Sequence, residues 1–186
     1  IAELKPDLVI QWGERGDDIV APLRNAGLPV ALMVGGGNAG TEELARANMK
    51  MVADITGNTE KLSKLIDWRD RVQSEITTGL KQVGFHATPS ILHLRSAKSK
   101  LTATGEKSYQ QTFIELVGAK NVAQGAGVQS TVSVEQILEW NPDIILLSAA
   151  ETDAGLEAIY DDPLLSRLNA AVQKRVYKIP QGGYIW

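Results

Sequence analysis

A ten-residue segment at the start of the chain recurs near its end, and this repeat limits the possible fold more than any other feature. Ile1-Ala-Glu-Leu-Lys-Pro-Asp-Leu-Val-Ile10 aligns position by position with Ile137-Leu-Glu-Trp-Asn-Pro-Asp-Ile-Ile-Leu146. Both copies read as a helix end, a Pro-Asp corner and then an unbroken apolar strand. Proline stops a helix because it has no N–H and pushes the residue before it out of the helical region. Strands without polar alternation, Leu8–Ile10 and Ile144–Leu147, belong in a parallel sheet covered on both faces. The stretch after each copy repeats as well. A helical stretch at Asp17–Ala26, Gly27 as its cap and a strand at Pro29–Val34 come after the first. A longer stretch through Leu164–Val172 and a strand at Arg175–Ile179 come after the second. Two related α/β units imply two related lobes.

The segment between the repeats is helical. Thr41 is placed to cap a helix ending near Thr56 and Gly57. Thr59 is placed to cap a second helix, with Leu62, Leu65, Ile66, Val72, Ile76 and Leu80 mostly three and four apart. That helix runs to Val83 and is roughly 36 Å long at 1.5 Å per residue. A strut of that length between two lobes limits their hinging. Pro89–Leu94 then reads as a strand, and Tyr109–Val117 as a helix ended by Gly118. The first lobe has no counterpart to this unit, so it is expected to be incomplete and the chain a fragment. The organisation expected is residues 1–57 as the remainder of an amino-terminal lobe, 58–84 as the connecting helix and 85–186 as a carboxy-terminal α/β lobe.

Composition removes several function classes. The chain of 186 residues has no cysteine, which rules out disulfide scaffolds, thiolate zinc sites and cysteine nucleophiles together. A formal charge of −3 with scattered basic residues gives no reason to expect a nucleic-acid partner. No run approaches the ~18 apolar residues of a membrane span. No signal-peptide pattern opens the sequence, so the residues themselves report no compartment. The two histidines, His86 and His93, lack metal-ligand spacing with other donors and are expected to be structural; no metal site is expected. No nucleophile elbow or Walker loop is present, and no catalytic residue is assigned.

Five short segments, in this order, carry a family resemblance over essentially the whole chain. They are Leu4-Lys-Pro-Asp-Leu-Val-Ile10, Gly118-Ala-Lys-Asn-Val122, Val132-Ser-Val-Glu-Gln-Ile137, Trp140-Asn-Pro-Asp143 and Val176-Tyr-Lys-Ile-Pro180. The sequence resembles the ABC-transporter substrate-binding proteins for iron–siderophores, haem and cobalamin, whose two lobes are joined by one rigid helix. The resemblance implies two Rossmann-like lobes with mainly parallel sheets and a long connecting helix. It implies capture of an iron complex (siderophore or haem) or cobalamin between the lobes and delivery to an ABC permease. It implies a periplasmic location, or anchoring as a lipoprotein outside the cytoplasmic membrane. No intrinsic cofactor is expected; iron or cobalt would arrive inside the ligand.

Ligands of open α/β sheets sit beyond the carboxyl ends of the strands. Trp12 lies just past the first strand, followed by Gly13-Glu-Arg15-Gly16, and a tryptophan here lines the cleft in similar cobalamin binders. Arg95 follows the strand at Pro89–Leu94 and suits the carboxylates of haem or of an anionic siderophore. The stretch after it, with Lys98, Lys100 and Thr102-Ala-Thr-Gly105, reads as a loop. Tyr109 opens the next helix, while Tyr184 and Trp186 follow the Pro180-Gln-Gly-Gly183 turn. The candidate ligand residues are therefore Trp12, Arg15, Arg95, Tyr109, Tyr184 and Trp186; Trp140 is expected to be structural. Ser133 and Gln136 make a capping box, and Glu135 between them is favoured by the helix dipole. By resemblance, Glu135 docks into an arginine pocket of the permease.

Two other readings remain open. One is a binding protein of the same fold for an oxyanion such as molybdate, held by Arg95. The other is a nucleotide-binding α/β enzyme using Gly35-Gly-Gly-Asn-Ala-Gly40, a literal G-x-G-x-x-G. Such a site wants an acidic residue about 20 positions on at a strand end; Asp54 has the distance but sits in a helical pattern. A sheet edge left open by an incomplete first lobe would favour a dimer.

Overall fold

The structure is a computed structural model, and it describes residues 1–13, 16–33, 42–84, 87–97, 100–148 and 153–179. The chain divides into two compact units, Ile1–Val72 and Gln73–Trp186.

The first unit opens with a 3-10 turn at Ala2–Leu4, followed by β1 (Val9–Trp12), α1 (Gly16–Asn25), β2 (Val30–Met33) and α2 (Glu42–Thr56). Helix α3 (Thr59–Gln82) begins in this unit, and the division between the units falls within it. Strands β1 and β2 pair in parallel, Val9 beside Val30 and Trp12 beside Met33. Gly27 ends α1 with φ 77°, a conformation that glycine adopts without a Cβ penalty. The α3 limits match the spacing of its apolar residues. Its cap position is held by Asn58, not Thr59, because the Asn58 carbonyl accepts the first intrahelical bond, from Leu62 N–H at 3.0 Å. Glu42 ties α2 to α3, bridging Arg46 at 2.9 Å and Arg69 of α3, while Arg46 also reaches Asp70.

The second unit contains β3 (Ser90–Ala97), β4 (Lys100–Thr104), α4 (Tyr109–Leu116), β5 (Lys120–Asn121), β6 (Gln129–Val132), α5 (Val134–Trp140), β7 (Ile144–Leu147), α6 (Asp153–Asp161), α7 (Asn169–Val172) and β8 (Val176–Lys178). The sheet order is β6-β4-β3-β7-β8, with β5 also on β3. The pairs β3–β7, β7–β8 and β3–β5 are parallel, as expected of an α/β lobe. The pairs β3–β4 and β4–β6 are antiparallel, which makes the sheet mixed. Lys100–Thr104 is thus a strand, not part of a loop. Leu101 and Ala103 turn to the core while Lys100, Thr102 and Thr104 turn away. Arg95 correspondingly lies within β3, opposite Thr102, rather than beyond the strand.

Leu92, Leu94, Ala103, Ile137, Ile145, Leu147 and Leu168 form the centre of one hydrophobic core. Trp140 packs partly buried against it, as a structural residue would. The stretch after β7 is broken near Pro163. Asp162 Oδ1 accepts from the N–H groups of Leu164 at 2.8 Å and Leu165 at 2.9 Å, and so starts a new turn there.

The repeat read from sequence is geometric as well. Val9 N–H donates to Pro29 carbonyl at 2.9 Å, and Ile145 N–H to Arg175 carbonyl at 3.0 Å, so each copy's strand pairs in parallel with the next in the same way.

Candidate functional site

Side chains alternate across a strand, so Arg95 and His93 share one face of β3 while Leu92 and Leu94 enter the core on the other. Arg95 is exposed at the carboxyl end of β3 and faces the half-buried Thr102 across the β4 pairing. His93 is buried, and its Nδ1 lies 3.0 Å from Thr104 Oγ1. Burial, and then the nearby Arg95 charge, pushes the His93 imidazole down to about 4. His93 is therefore neutral at pH 7, and the only full positive charge of the pair is the one Arg95 holds out to solvent.

The sequence before α4 is locked to the loop before β6. A Cβ on Gly105 would lie 2.5 Å from the Gly127 carbonyl oxygen and 2.7 Å from its nitrogen, so only glycine fits. Glu106 Oε2 accepts from Gly125 N–H at 2.9 Å and Gly127 N–H at 3.2 Å. Ser108 Oγ donates to the Gly105 carbonyl at 2.7 Å. These contacts fix where Tyr109 starts α4. The Tyr109 ring is half-buried and meets the Phe113 ring edge-on, with centroids 5.8 Å apart. Phe113 remains 53% exposed, which makes an aromatic pair available on the surface of this helix.

A buried amide joins these elements. Asn121 Nδ2 donates to the Thr104 carbonyl at 3.1 Å and to Gln111 Oε1 at 3.0 Å, while its Oδ1 accepts from Ala123 N–H at 3.0 Å. Neither Gln111 nor Phe113 stood out from sequence, and Asn121 appeared there only within Gly118-Ala-Lys-Asn-Val122, with no role of its own. Phe113 had a legible signal in its i, i+4 spacing from Tyr109; no local pattern marked Asn121 as a buried bonding partner.

Glu135 is exposed in the first turn of α5. Ser133 caps this helix by accepting from Gln136 N–H at 3.2 Å. The N–H of Glu135 itself, and then the Ser133 hydroxyl, hold the Glu135 carboxyl below the ordinary range. Val132, the last residue of β6, pairs with Leu101, so α5 begins at the end of the sheet that carries Arg95.

The structure thus brings Arg95, Tyr109 and Glu135 into one unit. Trp12 closes β1, but its side chain, together with Arg15, His86, the Gly35–Gly40 loop, Tyr184 and Trp186, lies outside the described residues. Asp54, the acidic residue a nucleotide site would need, is in α2 and pairs with Lys50. Among the described residues no group of three or more His, Asp or Glu could hold a metal ion, and no helix is long and apolar enough to cross a membrane.

A family model described as "Periplasmic binding protein" matches residues 1–182. The iron-uptake system-binding protein of Bacillus subtilis is 23% identical over 199 residues, covering 100% of this chain and 60% of that protein. This chain therefore spans about 60% of the length of that curated relative. Among solved structures, a periplasmic solute binding protein of Veillonella parvula is 29% identical, with a TM-score of 0.74 over 98% of this chain and 54% of that one. A periplasmic haem-binding protein of Vibrio cholerae is 25% identical, with a TM-score of 0.75 over 100% of this chain and 73% of that one.

Proposed function

Because this chain belongs to the periplasmic binding protein family, we propose that it is the solute-binding component of an ABC importer for an iron complex, either a siderophore or haem, or for cobalamin. The observation that carries the reading is Arg95, a cation presented at the carboxyl end of β3 with a neutral histidine behind it. A guanidinium in that place binds a carboxylate or catecholate oxygen through two parallel hydrogen bonds. The Tyr109–Phe113 pair on α4 supplies an apolar, polarised surface for a conjugated ring. The similarity to an iron-uptake system-binding protein of Bacillus subtilis and a haem-binding protein of Vibrio cholerae supports this class of ligand.

The proposed mechanism is capture without bond breaking. Ligand release takes place at the membrane permease, for which Glu135 offers an ionised carboxylate at an exposed helix start. The protein would work outside the cytoplasmic membrane.

Calorimetric and tryptophan-fluorescence titration against haemin, cyanocobalamin, ferric siderophores and molybdate tests the proposal. Micromolar or tighter binding of one chelate or macrocycle is expected, weakened about tenfold by Arg95→Ala, which corresponds to about 1.4 kcal/mol. Binding of nucleotide alone would overturn the reading, and binding of molybdate alone would move it to the oxyanion class.

A further inference from the structure

The polar side chains beneath Arg95 are more extensive than a strand pair needs. His93 is 1% exposed and bonds Thr104 across the sheet. The Thr104 carbonyl is taken by Asn121, which is fully buried, and Asn121 passes the chain of hydrogen bonds to Gln111 in the first turn of α4. Four residues from β3, β4, β5 and α4 are thus joined through one continuous path. One end lies two residues from Arg95 on the same face, and the other lies two residues from Tyr109. Buried polar groups are costly unless satisfied, and satisfied ones specify a single arrangement. An apolar set would fill this space with less demand on geometry.

We propose that His93 is a positioning residue of the ligand face: through Thr104, Asn121 and Gln111 it holds the Arg95 end of β3 and the Tyr109 end of α4 as one body, and it registers an anion bound at Arg95. The inference rests on the solute-binding reading above. It differs from a purely structural role because His93 feels the charge of Arg95. Arg95 is a charged group that acts on the imidazole, and the facing position on β4 is the uncharged Thr104. An anion on Arg95 cancels that repulsion. Because His93 is already buried, covering it further adds little in the opposite direction.

Two measurements on the longest natural chain carrying this sequence test it together. The probes are gallium(III) protoporphyrin and a gallium(III) tris-catecholate, diamagnetic stand-ins for the ferric forms. In the first, the His93 imidazole is titrated by NMR with and without probe; its midpoint is expected to rise by about one pH unit on loading. In the second, Thr104→Val, which keeps shape and removes the hydroxyl, is expected to weaken probe binding about five- to tenfold, and Thr104→Ser to restore it. A probe that binds wild type while the His93 midpoint stays still, or that binds Thr104→Val as tightly as wild type, overturns the positioning role and leaves the solute-binding reading standing. Failure of every chelate to bind wild type overturns both.

Discussion

Asp143 grips Ser90 from both sides of the strand pair. Its Oδ2 accepts from the Ser90 N–H and the Ser90 hydroxyl, each at 2.8 Å, while its own N–H donates to the Ser90 carbonyl at 3.0 Å. Asp143 is the acidic residue of the second Pro-Asp corner, so the corner that ends α5 also sets where β7 begins against β3. The Ser90 N–H and then its hydroxyl hold the Asp143 carboxyl below the usual range.

Asp143→Asn is expected to lower stability by about 2 kcal/mol at pH 7, the size of a hydrogen bond to a charged group. The folded value is depressed, so the contribution of the carboxylate is present above the unfolded value of about 4 and disappears as pH falls through the lower folded value. Urea denaturation should therefore show wild type and variant converging below that range. A gap of the same size at about pH 2.5 and at neutral pH would contradict the assignment.

His93 acts in a higher window, with the sign following from a depressed folded value in a base. The unfolded imidazole takes a proton as pH falls through about 6.5, whereas the folded one waits until about 4. Stability is thus fully present above about pH 6.5 and declines toward pH 4, by up to about 3 kcal/mol for this one group. Replacing it with His93→Gln should flatten the stability profile across that interval, read by denaturant midpoints at half-unit pH steps.

Gly105→Ala forces a Cβ against the backbone of Gly127, which has no flexible side chain to move aside. A loss of about 1–3 kcal/mol is expected. Hydrogen exchange should quicken at the Gly125 and Gly127 amides held by Glu106. Unchanged protection there would mean that the loop tolerates the methyl group.

Glu135→Gln should leave ligand affinity unchanged, because the carboxylate is exposed in the first turn of α5. Transport of the loaded ligand into cells or proteoliposomes carrying the cognate permease should fall. Equal transport by the variant would remove Glu135 from the docking role.

Much of the fold was legible because it is written in local rules. The 24-residue α3 follows from a three- and four-residue apolar spacing. The Pro-Asp corners announce themselves through proline, although their shape is more specific than the motif: Lys5 has φ 45° and Asn141 has φ 39°, both left-handed, at equivalent places in the two copies. Asn141 suits that conformation, and its Oδ1 also accepts from Asn169 N–H at the start of α7, at 2.9 Å. Ser133 was readable as a cap because capping requires only a hydroxyl next to a helix start.

The antiparallel strands were not readable in the same way. Gln129-Ser-Thr-Val132 holds a single buried residue, and it becomes a strand because β4 offers it a ladder of hydrogen bonds. Lys100–Thr104 has a two-residue alternation too short to stand apart from a polar loop. Arg95 was picked out by type, but its place within β3 and its facing partner Thr102 came only with the β4 register.

The repeat, the helix limits and the residue types available for a ligand come from the amino-acid order, because periodicity, caps and proline act between near neighbours. Which residues share a face, and which polar groups are satisfied, came only with the folded arrangement. His93, Thr104, Gln111 and Asn121 are spread along the chain and individually ordinary. They come together only when the pairing of β3, β4 and β5 buries His93, Thr104 and Asn121 and brings Gln111, half-buried on α4, within reach of Asn121.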